Sequence, residues 1–185
     1  MLQPIQIVRY SDGQLVEAVL TELAQRHLED FNRRWRIQLV ELGAEDKFWD
    51  WAYKKRIAQT GSGYESYAIE WNEITQGLLA LETHYHRSQI DSDRGQPLVY
   101  VQALATAPWN RRTAQSGRQF SGIGALLLNF ARRRSLQLGY GGRVALHALP
   151  NAERFYEALN MMNFDPDPDY DGLVYFEYGL YRQGR

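Results

Sequence analysis

The segment Gln119-Phe120-Ser121-Gly122-Ile123-Gly124 lies between a mostly apolar run and the start of an amphipathic stretch. The run before it, Leu98-Val99-Tyr100-Val101-Gln102-Ala103-Leu104-Ala105-Thr106-Ala107, reads as a long strand stopped by Pro108. After it, Ile123, Leu126, Leu127, Phe130 and Ala131 fall at i, i+3, i+4, i+7 and i+8, the spacing of a helix with one buried face, and Gly139 follows as a stop. Gly122 and Gly124 let backbone approach a ligand closely, and a helix N-terminus offers unpaired N–H groups at the positive end of its dipole. A phosphate is the natural guest. The spacing is not the dinucleotide fingerprint, which needs three glycines as G-x-G-x-x-G, nor a Walker A loop, since no Gly-Lys-Ser/Thr follows. An ordinary glycine-rich helix start explains the same residues, so the flanking sequence has to decide.

Downstream, Val144-Ala145-Leu146-His147-Ala148-Leu149 is almost unbroken in its apolarity and reads as a strand buried on both faces. Leu98 to Leu149 is therefore strand–helix–strand, which implies a parallel pair with a right-handed crossover. Pro150-Asn151 opens a short helix through Ala152, Phe155, Tyr156 and Leu159, with Asn151 as its N-cap. An acidic loop, Asp165–Asp171, precedes a last strand over 173–178. Upstream, Ile5–Tyr10 reads as a strand ending at the turn cluster Ser11-Asp12-Gly13. Apolar residues from Leu15 to about Phe31 recur at helical spacing, and Asp12 can cap that helix. The pattern over 32–63 is weak, apart from an aromatic-rich helix around Phe48–Tyr53 ended by Thr60-Gly61-Ser62-Gly63. Two strands, 67–71 and 77–83, are joined at Asn72–Gln76, and Ser88–Gln96 is a polar loop. The expected order is β α α β β β α β α β, an α/β fold with a mixed sheet in a single domain over 1–185.

Composition excludes several classes. The 185 residues carry 21 Lys+Arg against 22 Asp+Glu, a formal charge of −1 that gives no general footprint for nucleic acid. Apolar residues at 44% and charged residues at 23% are ordinary globular usage rather than the signature of disorder. No apolar run approaches the roughly 18 residues of a membrane span, and Met1-Leu2-Gln3-Pro4 opens no signal peptide, so the expectation is a cytoplasmic protein without a membrane partner. Cysteine is absent, which removes thiol chemistry, disulfides and cysteine-based zinc sites.

The series Gln119-x-x-Gly122-x-Gly124 after a strand ending at Pro108, followed by Ala152-Glu153-Arg154-Phe155-Tyr156-Glu157-Ala158-Leu159-Asn160-Met161, resembles the GCN5-related N-acetyltransferase (GNAT) superfamily. The likeness is strong over 98–161, holds in strand order from 5 to 178, and is absent in detail over 30–63. It implies a central twisted mixed sheet flanked by helices and an acyl-CoA donor, acetyl-CoA in the first place. The pyrophosphate would lie on the N–H groups of Gln119, Phe120, Ser121, Gly122, Ile123 and Gly124. The pantetheine would pair with the backbone of Leu104, Ala105 and Thr106. Tyr156 would protonate the departing thiolate, a sensible match because a phenol and a thiolate have similar basicity. Arg111, Arg112 and Arg118 in the long connection Trp109–Arg118 could reach CoA phosphates or form a solvated basic loop. Asn160-Met161 replaces the family's Gly-Phe, and Leu149 stands where the family often has a CoA-contacting Asn, which leaves Asn151 as a weaker CoA ligand.

The amine acceptor needs a proton acceptor. Glu70 and Glu82 on central strands are candidates, against the plainer reading of solvent-facing strand carboxylates. His84 and His86 alternate and so would share a face of one strand, suiting a base or a metal pair, but no third ligand is evident and no metal is expected. His147 on the buried strand reads as a satisfied core histidine. Asp165, Asp167, Asp169 and Asp171 either attract a cationic amine or form a Pro-stiffened surface loop. The expected activity is N-acyl transfer by direct attack on acyl-CoA by an amine of a small molecule or protein, with nucleic acid entering only as an aminoacyl-tRNA acceptor. The alternative is a non-catalytic acyl-CoA sensor or partner-binding subunit on the same fold. A homodimer is left open.

Overall fold

The structure, a computed structural model, describes residues 2–114 and 117–181. Its chain forms a mixed α/β fold whose strands hydrogen-bond in the order β6-β1-β2-β3-β4-β5-β7-β9-β8. These are β1 (Leu2–Arg9), β2 (Leu15–Glu22), β3 (Tyr64–Trp71), β4 (Ile74–Glu82), β5 (Val99–Thr106), β6 (Phe120–Ser121), β7 (Val144–Ala148), β8 (Met162–Asp167) and β9 (Leu173–Tyr178). The helices are α1 (Gln25–Asp30), α2 (Arg36–Glu41), α3 (Trp51–Thr60), α4 (Ile123–Gln137) and α5 (Glu153–Ala158), with a π-helical turn, Phe31–Trp35, between α1 and α2. Strands β5 and β7 are parallel, as the strand–helix–strand reading requires, and the pairs β1–β2, β2–β3, β7–β9 and β8–β9 are antiparallel. Residues fall into two compact units, 1–80 with 103–127, and 81–102 with 128–185.

In the first unit, Leu23, Leu28, Phe31, Trp35, Leu39 and Trp51 from the helical region pack on Ala68, Leu78, Ala80, Ala103 and Ala105. Small residues on the strands leave room for large ones on the helices. Phe31 and Leu39 are almost wholly excluded from water, and each such side chain contributes roughly 1.5–3 kcal/mol. Gly77 serves the opposite need. A Cβ there would stand 2.7 Å from Ile123 Cγ2 and 3.0 Å from Leu127 Cδ1, so only glycine lets the first turns of α4 lie this close to β4.

Several expectations fail. Leu15–Glu22 is strand β2, not the start of a helix. Ser11-Asp12-Gly13 makes a hairpin turn instead of a cap: Gly13 N–H donates to the Arg9 carbonyl, and the Gln14 N–H donates to Asp12 Oδ1 at 3.0 Å. The apolar residues of this stretch fit both periods, and pairing with β1 on one side and β3 on the other decides for extended backbone. The helix begins only at Gln25, with His27 Nδ1 accepting the Ala24 N–H at 2.9 Å. The second failure is the acidic loop. Met162–Asp167 is an edge strand, where Pro166 sits beside an irregularity in register and costs no central ladder bond. The cap of α5 is Ala152, so Asn151 does not serve as N-cap.

In the second unit, α5 carries Tyr156, whose ring meets Phe155 and Phe176 at 5.0 and 5.6 Å between centroids. Leu98, Tyr100, Ala145 and Tyr175 form a further buried cluster, with Phe164 against it.

Candidate functional site

The glycine segment is held by the fold before it meets any ligand. Gln119 N–H donates to the Trp109 carbonyl at 2.9 Å, and Phe120 N–H donates to Asn110 Oδ1 at 3.0 Å. Phe120 and Ser121 pair with Arg9 and Val8. Asn110 is in turn tied to Gln76: its Nδ2 donates to Gln76 Oε1 at 2.9 Å, an oxygen that also accepts the Trp109 indole N–H at 3.0 Å. Gln76 is fully buried. Of the six N–H groups expected to face a pyrophosphate, those of Gln119 and Phe120 are therefore already used. The first N–H that α4 satisfies internally is Leu126, to the Gly122 carbonyl at 2.9 Å. The orphan donors ahead of it are those of Ile123, Gly124 and Ala125, as at the head of any helix. Gly122 has φ +77°, and a Cβ there would meet nothing within 4 Å, so the approach to that turn is open. Open space, free N–H groups and the positive end of a 15-residue helix fit an anion.

The basic connection divides its arginines. Arg111 is committed to the fold: its guanidinium donates to both oxygens of Asp46 at 2.9 and 2.6 Å and to the Thr106 carbonyl at 3.0 and 2.9 Å. Arg112 is exposed. Arg118 stands over the Tyr10 ring at 5.4 Å. Residues 115 and 116 of this connection lie outside the described residues. A cavity of about 470 Å³ also opens at Gln119, walled by Ile37, Ile74 and Trp109 with Arg33 and Arg34.

Along β5, Ala103 and Ala105 are buried while Leu104 and Thr106 are partly exposed. Its parallel pairing with β7 covers Val99–Val144 and Tyr100–Ala145. The Thr106 carbonyl is occupied by Arg111, so it is not available as an acceptor to a second chain.

Tyr156 is 6% exposed, and its hydroxyl has no hydrogen-bond partner among the described residues. Burial pushes its pKa well above the ordinary phenol range, so the group holds its proton at any working pH. The carboxylates differ in state. Glu70 takes two bonds from Arg26, at 2.9 and 3.0 Å, and one from His27 Nε2 at 3.0 Å. The Arg26 guanidinium, with His27, holds its pKa below the usual carboxylate range, against some opposing burial. Such a carboxylate is a poor proton acceptor. Glu82, 3% exposed, accepts the Tyr85 N–H at 2.7 Å and pairs with His86 Nε2 at 2.8 Å.

His84 and His86 do not share a strand face, because β4 ends at Glu82. His84 is exposed, whereas His86 turns inward and stacks on Tyr100. His147 is a satisfied histidine: Nδ1 meets the Tyr100 hydroxyl at 2.8 Å and Nε2 meets Asp167 Oδ2 at 3.1 Å. Asp167 is thus part of the fold, while Asp165, Asp169 and Asp171 are exposed. Among the described residues no group of three or more His, Cys, Asp or Glu is placed to hold a metal ion, and no helix is long and apolar enough to cross a membrane. Asn110 and Gln76 do not stand out in the sequence. A polar pair within two otherwise structural segments gives no periodic signal.

No protein-family model matches the chain, and no curated protein matches it. Solved structures do. The GNAT domain of PAT from S. lividans superposes with a TM-score of 0.60 at 14% identity, covering 95% of this chain and 96% of that one. PaiA N-acetyltransferase from Thermoplasma acidophilum, solved with coenzyme A, gives 0.58 at 12% identity, with coverage of 88% and 98%. Arabidopsis thaliana Naa50, solved with a bisubstrate analogue, CoA-Ac-MVNAL, gives 0.55 at 17%, with coverage of 89% and 100%. At these identities the likeness is one of fold: the chain has the fold of the GNAT acyl-CoA N-acyltransferases.

Proposed function

We propose that this chain moves a short acyl group, acetyl in the first place, from acyl-CoA to a primary amine. The observation that carries the reading is the turn Ile123–Ala125, with its unspent N–H groups, at the head of α4 behind the open Gly122. Pyrophosphate oxygens accept from those donors, and Arg118 adds positive charge near the same loop. Ser121 and the side chain of Gln119 complete the cradle, while the N–H groups of Gln119 and Phe120 hold it in place. The backbone of Leu104–Thr106 lies along the pantetheine, with Asn151 as a further CoA contact, and N–H groups there polarise the thioester carbonyl.

In the reaction the amine nitrogen attacks the thioester carbon. A C–N bond forms, the C–S bond breaks, and the CoA thiolate takes its proton from Tyr156. Burial keeps the phenol of Tyr156 protonated before transfer but also makes it a weaker acid than an ordinary phenol, so the transfer requires a departing thiolate that is desolvated in the same way. Of the two strand carboxylates, Glu82 remains the candidate for the amine's proton, because Glu70 is held by Arg26 and His27. The acceptor is an amine of a small molecule or a protein, or of an aminoacyl-tRNA.

Thermal unfolding with acetyl-CoA, longer acyl-CoAs and ATP tests the donor. A ligand at 100 times its Kd adds about 2.7 kcal/mol, so acetyl-CoA should raise the melting temperature by several degrees. No rise with any acyl-CoA, or an equal rise with ATP, would reject the reading.

A further inference from the structure

The π-helical turn brings two adjacent arginines to the surface of the first unit. Its Arg36 N–H donates to the Phe31 carbonyl, one residue farther back than in an α-helix, while Phe31 and Trp35 stay buried. Such turns are rare and are frequently kept at functional sites. Arg33 and Arg34, with Ile37 one turn later, wall one side of the cavity of about 470 Å³, and Ile74, Trp109 and Gln119 wall the other. All of these residues belong to the first unit. The volume suits a small molecule, for which pockets run to roughly 300–1,000 Å³.

The walls are apolar and the rim is cationic. Ile37 is 62% exposed, an apolar side chain left uncovered, and Ile74 and Trp109 are half-buried. Among the described residues no Asp or Glu lines the cavity. Arg34 is partly neutralised, since its Nε pairs with Asp30 Oδ1 at 3.1 Å; the other oxygen of Asp30 takes the Thr75 N–H and hydroxyl at 2.8 and 2.7 Å. Arg33 has no ion-pair or hydrogen-bond partner among the described residues. The Gln119 carboxamide has none either, because only the backbone of Gln119 is bonded to Trp109 and Tyr10. A guanidinium binds carboxylate or phosphate through two parallel N–H donors, and the isoleucines gain by covering apolar surface. Charge and apolarity in one space select an anion that carries an apolar body.

We infer that this cavity is a binding site for a small organic oxyanion, a carboxylate or a phosphate monoester borne on an apolar ring, with Arg33 as its principal charge. The site goes beyond the acyl-transfer reading and does not depend on it. It shares Gln119 with the pyrophosphate cradle, and a carboxamide has two N–H donors to give. Hydrogen bonds join the two places. Trp109 donates its indole N–H to Gln76 Oε1, the same oxygen accepts from Asn110 Nδ2, and Asn110 Oδ1 takes the Phe120 N–H. A ligand held between Trp109 and Gln119 grips both ends of the connection that leads to the glycine turn. Its presence should leave acetyl-CoA binding unchanged or tighten it, and by linkage the effect is mutual.

The test is calorimetric titration of the full chain with phenyl phosphate, phenylacetate, inorganic phosphate and benzylamine. At least one of the two ring-bearing anions should bind with a Kd on the order of 1 mM, the scale for a ligand of about ten non-hydrogen atoms. The tighter of the two tells phosphate from carboxylate. Inorganic phosphate, which lacks the ring, and benzylamine, which has the wrong charge, should bind at least several-fold more weakly. Arg33→Gln should weaken the anion roughly tenfold or more, and Ile37→Asp should weaken it as far. Both positions are exposed, so each variant should keep the wild-type melting temperature. Saturating acetyl-CoA should leave the anion bound as tightly as before, or more so. A wild-type chain that takes neither ring-bearing anion at millimolar concentration overturns the inference, as does equal binding by Arg33→Gln, by inorganic phosphate or by benzylamine. Displacement of the anion by acetyl-CoA gives Arg33 to the donor and overturns it too. A chain that binds the anion but no acyl-CoA rejects the acyl-transfer reading and leaves this site standing.

Discussion

Replacing Asn110 with alanine should both destabilise the chain and loosen its anion cradle. The side chain is 9% exposed and makes two well-formed bonds: Nδ2 to Gln76 Oε1 at 2.9 Å and Oδ1 from the Phe120 N–H at 3.0 Å. Gln76 Oε1 keeps the Trp109 indole, so its loss is partial. The Phe120 N–H keeps nothing, and Phe120 is 1% exposed. An orphaned buried donor costs about 1–3 kcal/mol, and the lost bond to Gln76 adds about 1. The sum is about 2–4 kcal/mol, or roughly 4–16 °C in Tm for a chain of this length. Differential scanning calorimetry reads the stability. A titration with acetyl-CoA reads the second effect, because Phe120 stands two residues before the open Gly122 and sets where the turn Ile123–Ala125 lies. Affinity should fall at least several-fold. A Tm change under about 2 °C with unchanged affinity would refute the claim that Asn110 holds the loop.

Three further outcomes follow from the same geometry. Gly77→Ala sets a Cβ 2.7 Å from Ile123 Cγ2; since α4 must shift, we expect a loss of about 1–3 kcal/mol by chemical denaturation and weaker acetyl-CoA binding. Tyr156→Phe should keep CoA affinity within a few-fold while turnover falls by roughly 10²–10⁴; an unchanged kcat would reduce Tyr156 to a packing residue. Changing Asp165, Asp169 and Asp171 to Asn, with the His147-bonded Asp167 left alone, should raise the KM of a cationic acceptor and flatten its salt dependence. For a polyanionic acceptor the same change should lower KM, and no effect on either would make the loop a solvated turn.

The parts legible from sequence are those whose pattern has one physical solution. The run Leu98–Ala107 and the strand at Val144 are nearly continuous apolar stretches, the helix from Ile123 is strongly periodic, and each occurs where expected. The stretch Leu15–Phe31 fits two periods, and only strand partners far away in sequence choose between them. Edge strand β8 is hidden by its aspartates and Pro166, which an edge tolerates and an interior does not. Helices α1 and α2 run through a π-helical turn, which shifts the apolar phase and explains why 32–47 carries no clear period. At the site, the glycines announce an approachable helix head. Which of its N–H groups are already spent depends on Asn110, and no spacing reveals that. The Glu82–His86 pair is likewise obscured: alternation puts His84 and His86 on one face, whereas the strand stops at Glu82 and only His86 turns in.

The most direct measurement is calorimetric titration of acetyl-CoA into the wild type and into Gly124→Glu. With the pyrophosphate on the turn Ile123–Ala125, the new carboxylate stands at the head of α4 and repels the ligand from the N–H groups it needs. Gly124 is buried, so the variant should lose some thermal stability, and binding should be lost at a temperature where circular dichroism shows it still folded. If the variant is folded and binds acetyl-CoA as tightly as the wild type, the pyrophosphate does not lie on this turn, and the central assignment is wrong.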